Sequence, residues 1–178
     1  MTLKVAVSKD GFVGYQDRPT KLTGLRSDRW MHRQRAAVDA IAVGSTTILT
    51  DDPLLTARLV YRERPLTRVI FDRRGRVNEQ ARVFGTREAG PVIVTTESVA
   101  AAVARLGEQG IVSLVVEGGP TLHHAFWKAG MVDRVQIIET PAVLGAGVSA
   151  FRPSEPADAR RLRIGDDVLI DWDVYRTH

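Results

Sequence analysis

The sequence predicts an α/β domain with a mostly parallel central sheet, helices on both faces and a C-terminal antiparallel hairpin. Three observations carry that prediction. Short apolar runs recur along the chain and alternate with segments of helical period; Gly, Pro and Asp-Gly punctuation separates them; and the last two runs face each other across Gly165 to Asp167. The 178 residues, 44% hydrophobic and 26% charged, fit one domain spanning 1–178, long enough to bury roughly 70% of the surface its unfolded chain exposes.

Leu3 to Ser8, closed by Asp10-Gly11, reads as a buried strand. Tyr15 to Gly24, with Gly14, Pro19 and Gly24 as breakers, reads as a loop. Ser27 is suited to cap a helix in which Trp30, Met31, Gln34 and Val38 recur at three- and four-residue spacing, with Arg35 at the border of that stripe. Ala40 to Gly44 is a second buried strand, followed by Ser45-Thr46-Thr47-Ile48-Leu49 and Asp51-Asp52-Pro53. Arg68 to Asp72 and Pro91 to Thr96 are the third and fourth strands. A helix from Ser98 to Gln109, ended by Gly110, leads to a fifth strand at Ile111 to Glu117. Gly118-Gly119-Pro120 opens a helix that runs to about Ala129 and stops at Gly130. Val135 to Glu139 is a further strand. Arg161 to Ile164 and Val168 to Tyr175 form the hairpin.

Composition excludes several chemistries. With no cysteine the chain has no disulfide framework, thiolate zinc site, Fe–S cluster or cysteine nucleophile. The excess of 25 Lys+Arg over 21 Asp+Glu gives a net charge of +4, but the arginines are spread along the chain and no aromatic stacking platform stands out. The balance therefore points to a solvated basic surface that attracts phosphorylated small molecules rather than to nucleic acid. The N-terminus lacks a long apolar segment with a small-residue cleavage site, and no 18-residue apolar stretch occurs, so a cytoplasmic chain without membrane insertion is expected.

In such sheets ligands gather at the carboxyl ends of the strands. The most informative of these ends is Glu117-Gly118-Gly119-Pro120-Thr121. Its glycines either let the backbone approach a phosphate at the helix N-terminus or serve an ordinary strand–helix turn. Gly44-Ser45-Thr46-Thr47 offers hydroxyls for a phosphate or a helix cap. Asp51-Asp52-Pro53 reads as a turn, and the four histidines have no metal-ligand spacing, so no metal is expected. Lys4 reads as a strand lysine with its head in solvent.

Taken in order, Leu3-Lys4-Val5-Ala6-Val7-Ser8-Lys9-Asp10-Gly11, His32-x-x-Arg35, Asp39 to Gly44, Thr47-x-x-x-Asp51-Asp52-Pro53-x-Leu55-Thr56-x-Arg58, Arg68 to Asp72, Glu117-Gly118-Gly119-Pro120-Thr121-Leu122 and Leu144-Gly145 closely resemble the reductase domain of bifunctional riboflavin-biosynthesis proteins, the C-terminal domain of the RibD family. The resemblance implies a dihydrofolate-reductase-like fold, a homodimer, and NADPH-dependent reduction of the ribosylamino group of a phosphorylated aminopyrimidine to a ribitylamino group. It further implies that Ala6, Thr47, Asp51, Arg73 and the run from Gly118 to Leu122, extending to Ala125, lie on NADPH. Thr23, Arg35, Leu55, Arg58 and Glu117 would lie around the substrate, with Glu117 and Asp51 closest to the chemistry. Arg35 and Arg58 suit the substrate phosphate, because a guanidinium binds phosphate bidentately.

Several positions depart from the family pattern. Pro19-Thr20-Lys21-Leu22-Thr23 stands where a Ser/Trp-type segment is usual, Lys9 replaces a leucine, and Arg73 replaces a serine on the cofactor's phosphate side. Arg73 then pairs with a 2′-phosphate, stacks on adenine or is a surface charge. Only one helix separates Thr95-Thr96 from the Ile111 strand, where the family usually fits a further strand and helix. Absence of cysteine also leaves out the zinc deaminase signature that accompanies this reductase, so the chain is expected to supply the reductase half only. The competing expectations are a reductase of another heterocycle, such as a pterin or a specialised-metabolite precursor, and a non-catalytic domain that binds a phosphorylated ligand.

Overall fold

The computed structural model describes residues 1–174; Tyr175 and His178 lie outside them. The elements follow in chain order as β1 (Thr2–Val7), β2 (Phe12–Gly14), α1 (Leu25–Ala36), β3 (Ala40–Gly44), α2 (Ser45–Asp51), β4 (Thr67–Phe71), β5 (Val92–Thr95), α3 (Val99–Glu108), β6 (Leu114–Val116), α4 (Pro120–Lys128), β7 (Arg134–Glu139), β8 (Val148–Ser149), β9 (Arg160–Ile164) and β10 (Asp167–Asp173). Eight strands form one sheet in the order β5-β4-β3-β6-β1-β7-β10-β9. The first six are mutually parallel, and β10 and β9 are added antiparallel at the far edge.

Period-two alternation splits the central strands between two cores. Ala40, Ala42, Val69, Phe71, Leu114 and Val116 face α3 and α4, meeting Ala102, Leu106, Leu122 and Phe126. Ile41, Val43, Ile70 and Val115 face the other way, toward Ile48 of α2 and the buried Leu55, Leu66 and Val83. Helices thus cover both faces, as the apolar runs predict. Each fully buried side chain of this kind contributes roughly 1.5–3 kcal/mol, and Phe126 adds an edge-on contact with Phe71 at 5.6 Å.

The small residues of β3 position the site. Gly118 lies so close to β3 that a Cβ there would sit 2.5 Å from Gly44 N and 2.6 Å from Val43 Cα. The start of α4 is thereby drawn down onto the sheet at the carboxyl end of β3.

Three expectations are corrected. Gly24, not Ser27, precedes the first turn of α1, and the helix ends at Ala36, leaving Val38 outside it. Ser27 is instead fully buried inside the helix. Of the expected Trp30, Met31, Gln34 and Val38 stripe only Met31 faces the cleft, beside the polar Asp28, His32 and Arg35, because the partners of α1 there are the strand ends and the cleft beside them. The short β2–β8 pair, absent from the sequence reading, ties residues 12–14 to the loop after β7. Among the described residues no helix is long and apolar enough to cross a membrane.

Candidate active site

A trench with three compartments crosses the carboxyl ends of the parallel strands. The first, about 570 Å³, lies between β1, α1 and the segment after α2. The middle one, about 270 Å³, lies between α2, the start of α4 and β2. The third, about 550 Å³, lies between β4 and the starts of α2, α3 and α4. The first and middle compartments share Val13, Thr20 and Asp51. The middle and third share Gly44, Thr46, Thr121 and Leu122, so the three compartments adjoin in a row.

Residues at three- and four-residue spacing bring one face of α1 to the first compartment: the polar Asp28, His32 and Arg35 border it together with Met31. Asp28 ties down the overhanging loop, accepting a hydrogen bond from Thr23 Oγ1 at 2.6 Å and pairing with Lys21 Nζ at 3.1 Å. On the opposite side the chain leaves α2 through left-handed backbone at Asp52 (φ 39°) and Leu55 (φ 52°). Such angles strain non-glycine residues; here burial of Leu55 and a hydrogen bond from Arg82 N to Asp52 Oδ1 hold the turn. The turn presents Arg58 to the cleft and the Thr56 carbonyl to Arg35.

The expected residues come together, with revised roles. Thr23, Arg35, Asp51, Leu55 and Arg58 line the first compartment. Ala6, expected on the cofactor, lines this compartment too. Thr47, Asp51, Gly119, Pro120, Thr121 and Leu122 line the middle one, and Arg73 the third. Glu117, expected at the substrate, and Gly118, expected on the cofactor, line none of the three compartments. Gly118 packs closely against the β3 backbone. A Cβ at Gly119, by contrast, would meet nothing within 4 Å.

Arg35 and Glu117 are paired with each other. Arg35 donates from Nε to Glu117 Oε1 at 2.8 Å, from Nη2 to Oε2 at 2.7 Å and from Nη1 to the Thr56 carbonyl at 3.0 Å. The guanidinium expected to grip a phosphate thus gives its Nε–Nη2 edge to a carboxylate, while the residue still borders the first compartment. Burial alone would raise the pKa of Glu117, but the charges of Arg35 and Lys4 and the Arg35 hydrogen bonds outweigh it and hold the group at about 2. Glu117 is a fixed anion, not a proton donor.

Lys4, expected as a strand lysine with its head in solvent rather than as a polar partner of the substrate, is corrected. It is 7% exposed rather than solvated, borders the first compartment and donates to Met31 Sδ. Burial lowers its pKa, against which the Glu117 charge works. The signal was present: a lysine inside a run read as fully buried cannot reach solvent once strands flank it on both sides. Asp51, at the junction of two compartments, has its pKa raised by desolvation although it remains open to the trench.

Two buried histidines give a pH prediction. His32 is pushed down to about 4 by burial and by the charges of Arg35 and Arg58; His123 is pushed down to about 4, mainly by burial. Both are neutral in the fold where the unfolded chain, with an ordinary value of 6.5, already binds protons. Stability therefore falls as pH falls from 6.5 toward 4, by on the order of 2–3 kcal/mol for each histidine. Glu117 adds nothing in the upper part of that window; its contribution is lost only as pH falls from 4.5 toward about 2. Thermal midpoints measured across this range check the claim, and a midpoint independent of pH between 6.5 and 4 would contradict it.

The third compartment is cationic. Arg73, Arg74, Arg76 and Lys128 border it, and Arg76 donates to Ser45 Oγ at 2.9 Å and Thr46 Oγ1 at 3.2 Å. The N-terminal residues of α3, Ser98, Val99 and Ala100, close its end. The single-helix connection between β5 and β6 thus still supplies a wall there.

Fold and trench together define an α/β domain that takes ligands across the carboxyl ends of a parallel sheet. The chain belongs to the RibD C-terminal domain family, which it matches over residues 1–168. It is 36% identical over 155 residues to the riboflavin biosynthesis protein RibD of Mycobacterium tuberculosis, covering 84% of this chain and 44% of that protein. It is 29% identical over 209 aligned positions to the 2,5-diamino-6-ribosylamino-4(3H)-pyrimidinone 5′-phosphate reductase of Methanothermobacter thermautotrophicus, covering 97% of this chain and 96% of that protein. That alignment is longer than the 178 residues present, so this relative has residues with no counterpart in the chain. Among solved structures, RibD of Acinetobacter baumannii superimposes with a TM-score of 0.79 at 25% identity, covering 96% of this chain and 56% of that one. The chain spans about half the length of the RibD proteins it matches.

Proposed function

We propose that the chain reduces the ribosylamino group of a phosphorylated aminopyrimidine to a ribitylamino group, with NADPH as hydride source, as one reductase domain of riboflavin biosynthesis. The carrying observation is the junction of the trench, where Asp51, Thr20 and Val13 belong to both the first and middle compartments. A cofactor along the middle and third compartments and a substrate in the first would meet there.

The residues fit these ligands. The open face of Gly119 leaves room for a cofactor at the start of α4, and four cations at the third compartment suit a 2′-phosphate. NADPH, when bound, supplies the hydride that the substrate's C1′ accepts. The protein's part is to bind, orient and deliver one proton. Opening of the ribose ring breaks C1′–O4′, with O4′ taking the proton, and leaves a protonated imine, C1′=NH+, whose nitrogen keeps its own hydrogen; hydride addition at C1′ then gives the neutral ribitylamine with no further proton needed. Lys4, buried at the first compartment with a lowered pKa, is placed to give that proton, and Glu117 keeps it charged beforehand. Arg58 makes no ion pair among the described residues and takes the phosphate, while Asp51 meets both ligands. The family resemblance supports a homodimer in the cytoplasm.

NADPH oxidation in the presence of the ribosylamino-pyrimidine phosphate tests the proposal. Turnover is expected with NADPH well above NADH. Tight NADPH binding with turnover only on another heterocycle would redirect the substrate, and absence of NADPH binding in a quantitative titration would sink the reductase reading.

A further inference from the structure

His32 stands apart from the other buried polar groups of the substrate compartment. It is 4% exposed, yet it borders the cleft. Its Nδ1 is sealed and unpartnered. Nε2 has no hydrogen-bond partner among the described residues either and is not sealed, so this is the ring edge that meets the cleft. A neutral imidazole has one N–H; with the proton on Nε2, only a lone pair is left inside and a donor faces the ligand. The charged groups acting on the ring are Arg35, Arg58, Glu117 and Asp28. Arg35 is engaged by Glu117, and Asp28 by Thr23 and Lys21. That leaves Arg58 as the charged neighbour with no such partner, and an oxyanion is the ligand that both donors would share.

We propose that His32 is a further substrate-binding residue, whose Nε2–H and the Arg58 guanidinium together hold the phosphate monoester of the substrate. This rests on the reductase reading above. Arg35, which the sequence offers for the same phosphate, borders the same compartment but has its Nε–Nη2 edge on Glu117.

The test compares KM for the phosphorylated substrate and for its dephosphorylated form in His32→Leu and His32→Gln. Loss of a hydrogen bond to a charged group raises KM for the phosphorylated substrate roughly tenfold in His32→Leu and leaves the dephosphorylated one unchanged. The glutamine amide reaches the Nε2 position, so His32→Gln recovers most of the loss. Equal effects of His32→Leu on both substrates, or no recovery by glutamine, overturn the proposal. Should His32→Leu not fold, the wild-type protein is titrated with ribose 5-phosphate and its histidine imidazoles are followed by NMR. His32 Nε2 is expected to shift, and an unmoved resonance overturns the assignment. A wild-type protein without turnover would contradict the reductase reading alone, since the ribose 5-phosphate titration still decides the role of His32.

Discussion

Glu117→Gln is expected to destabilise the protein by roughly 3–5 kcal/mol and to remove most of its turnover. The side chains of Arg35 and Glu117 are 13% and 7% exposed, and their pairing is bidentate. Neutralising Glu117 leaves the Arg35 guanidinium uncompensated in a buried cluster that already holds Lys4. Water cannot screen that charge, so solvation lost on folding is no longer offset. Lys4 also loses the anion that works against its desolvation, and a larger fraction of it becomes neutral. A double variant, Arg35→Met with Glu117→Leu, removes both charges and is expected to regain much of the stability without regaining activity. Chemical denaturation of the three proteins measures the first effect and NADPH oxidation the second. A Glu117→Gln protein as stable as the wild type would mean that the pair is far better hydrated than its burial indicates.

The two adjacent glycines are expected to behave differently. Gly118→Ala places a methyl group 2.5 Å from Gly44 N and 2.6 Å from Val43 Cα. Neither neighbour is a flexible side-chain tip; both belong to the β3 backbone, beside the start of α4. Opening that contact is expected to cost roughly 3 kcal/mol, read as a lowered denaturation midpoint. Gly119→Ala meets nothing within 4 Å and is expected to change stability by less than about 0.5 kcal/mol. Its methyl group enters the middle compartment instead, so the cofactor's Kd rises by about tenfold, a loss of roughly 1.4 kcal/mol. The reverse pattern would assign the ligand-facing role to Gly118.

Much of the frame was legible from the sequence because parallel strands buried on both faces leave continuous apolar runs, as at Ala40 to Gly44 and Leu114 to Val116. Gly110 marks the end of α3 in the sequence, and Ser98, read as its first residue, is its cap, with Oγ accepting from Ala101 N at 3.3 Å. What escaped was mostly polar and dependent on tertiary partners. Helix α1 buries Ser27 and His32, a face no hydrophobic period reveals. Arg68 is fully buried in β4, donating to Val83 O at 3.2 Å and Thr86 O at 2.9 Å, because the loop after β4 folds back over it. The site residues were found as a set through their order along the chain, but their pairings were not. Arg35 meets Glu117 across 82 positions of sequence, and nothing local distinguishes a guanidinium that grips a carboxylate from one that waits for a phosphate. Arg58 and Arg35 look alike in the sequence and both border the cleft, but only Arg35 is engaged by a carboxylate there.

The central claim is that the junction around Asp51 is where a hydride passes to C1′ of the ribosylamino group. Turnover with NADPH carrying deuterium on the transferred position of nicotinamide C4 tests it most directly, with the product analysed by mass spectrometry and NMR. The account predicts a ribityl C1′ that carries one deuterium, on a single face, in each product molecule. A product that forms without deuterium at C1′, or deuterium that is found only in solvent, would contradict it.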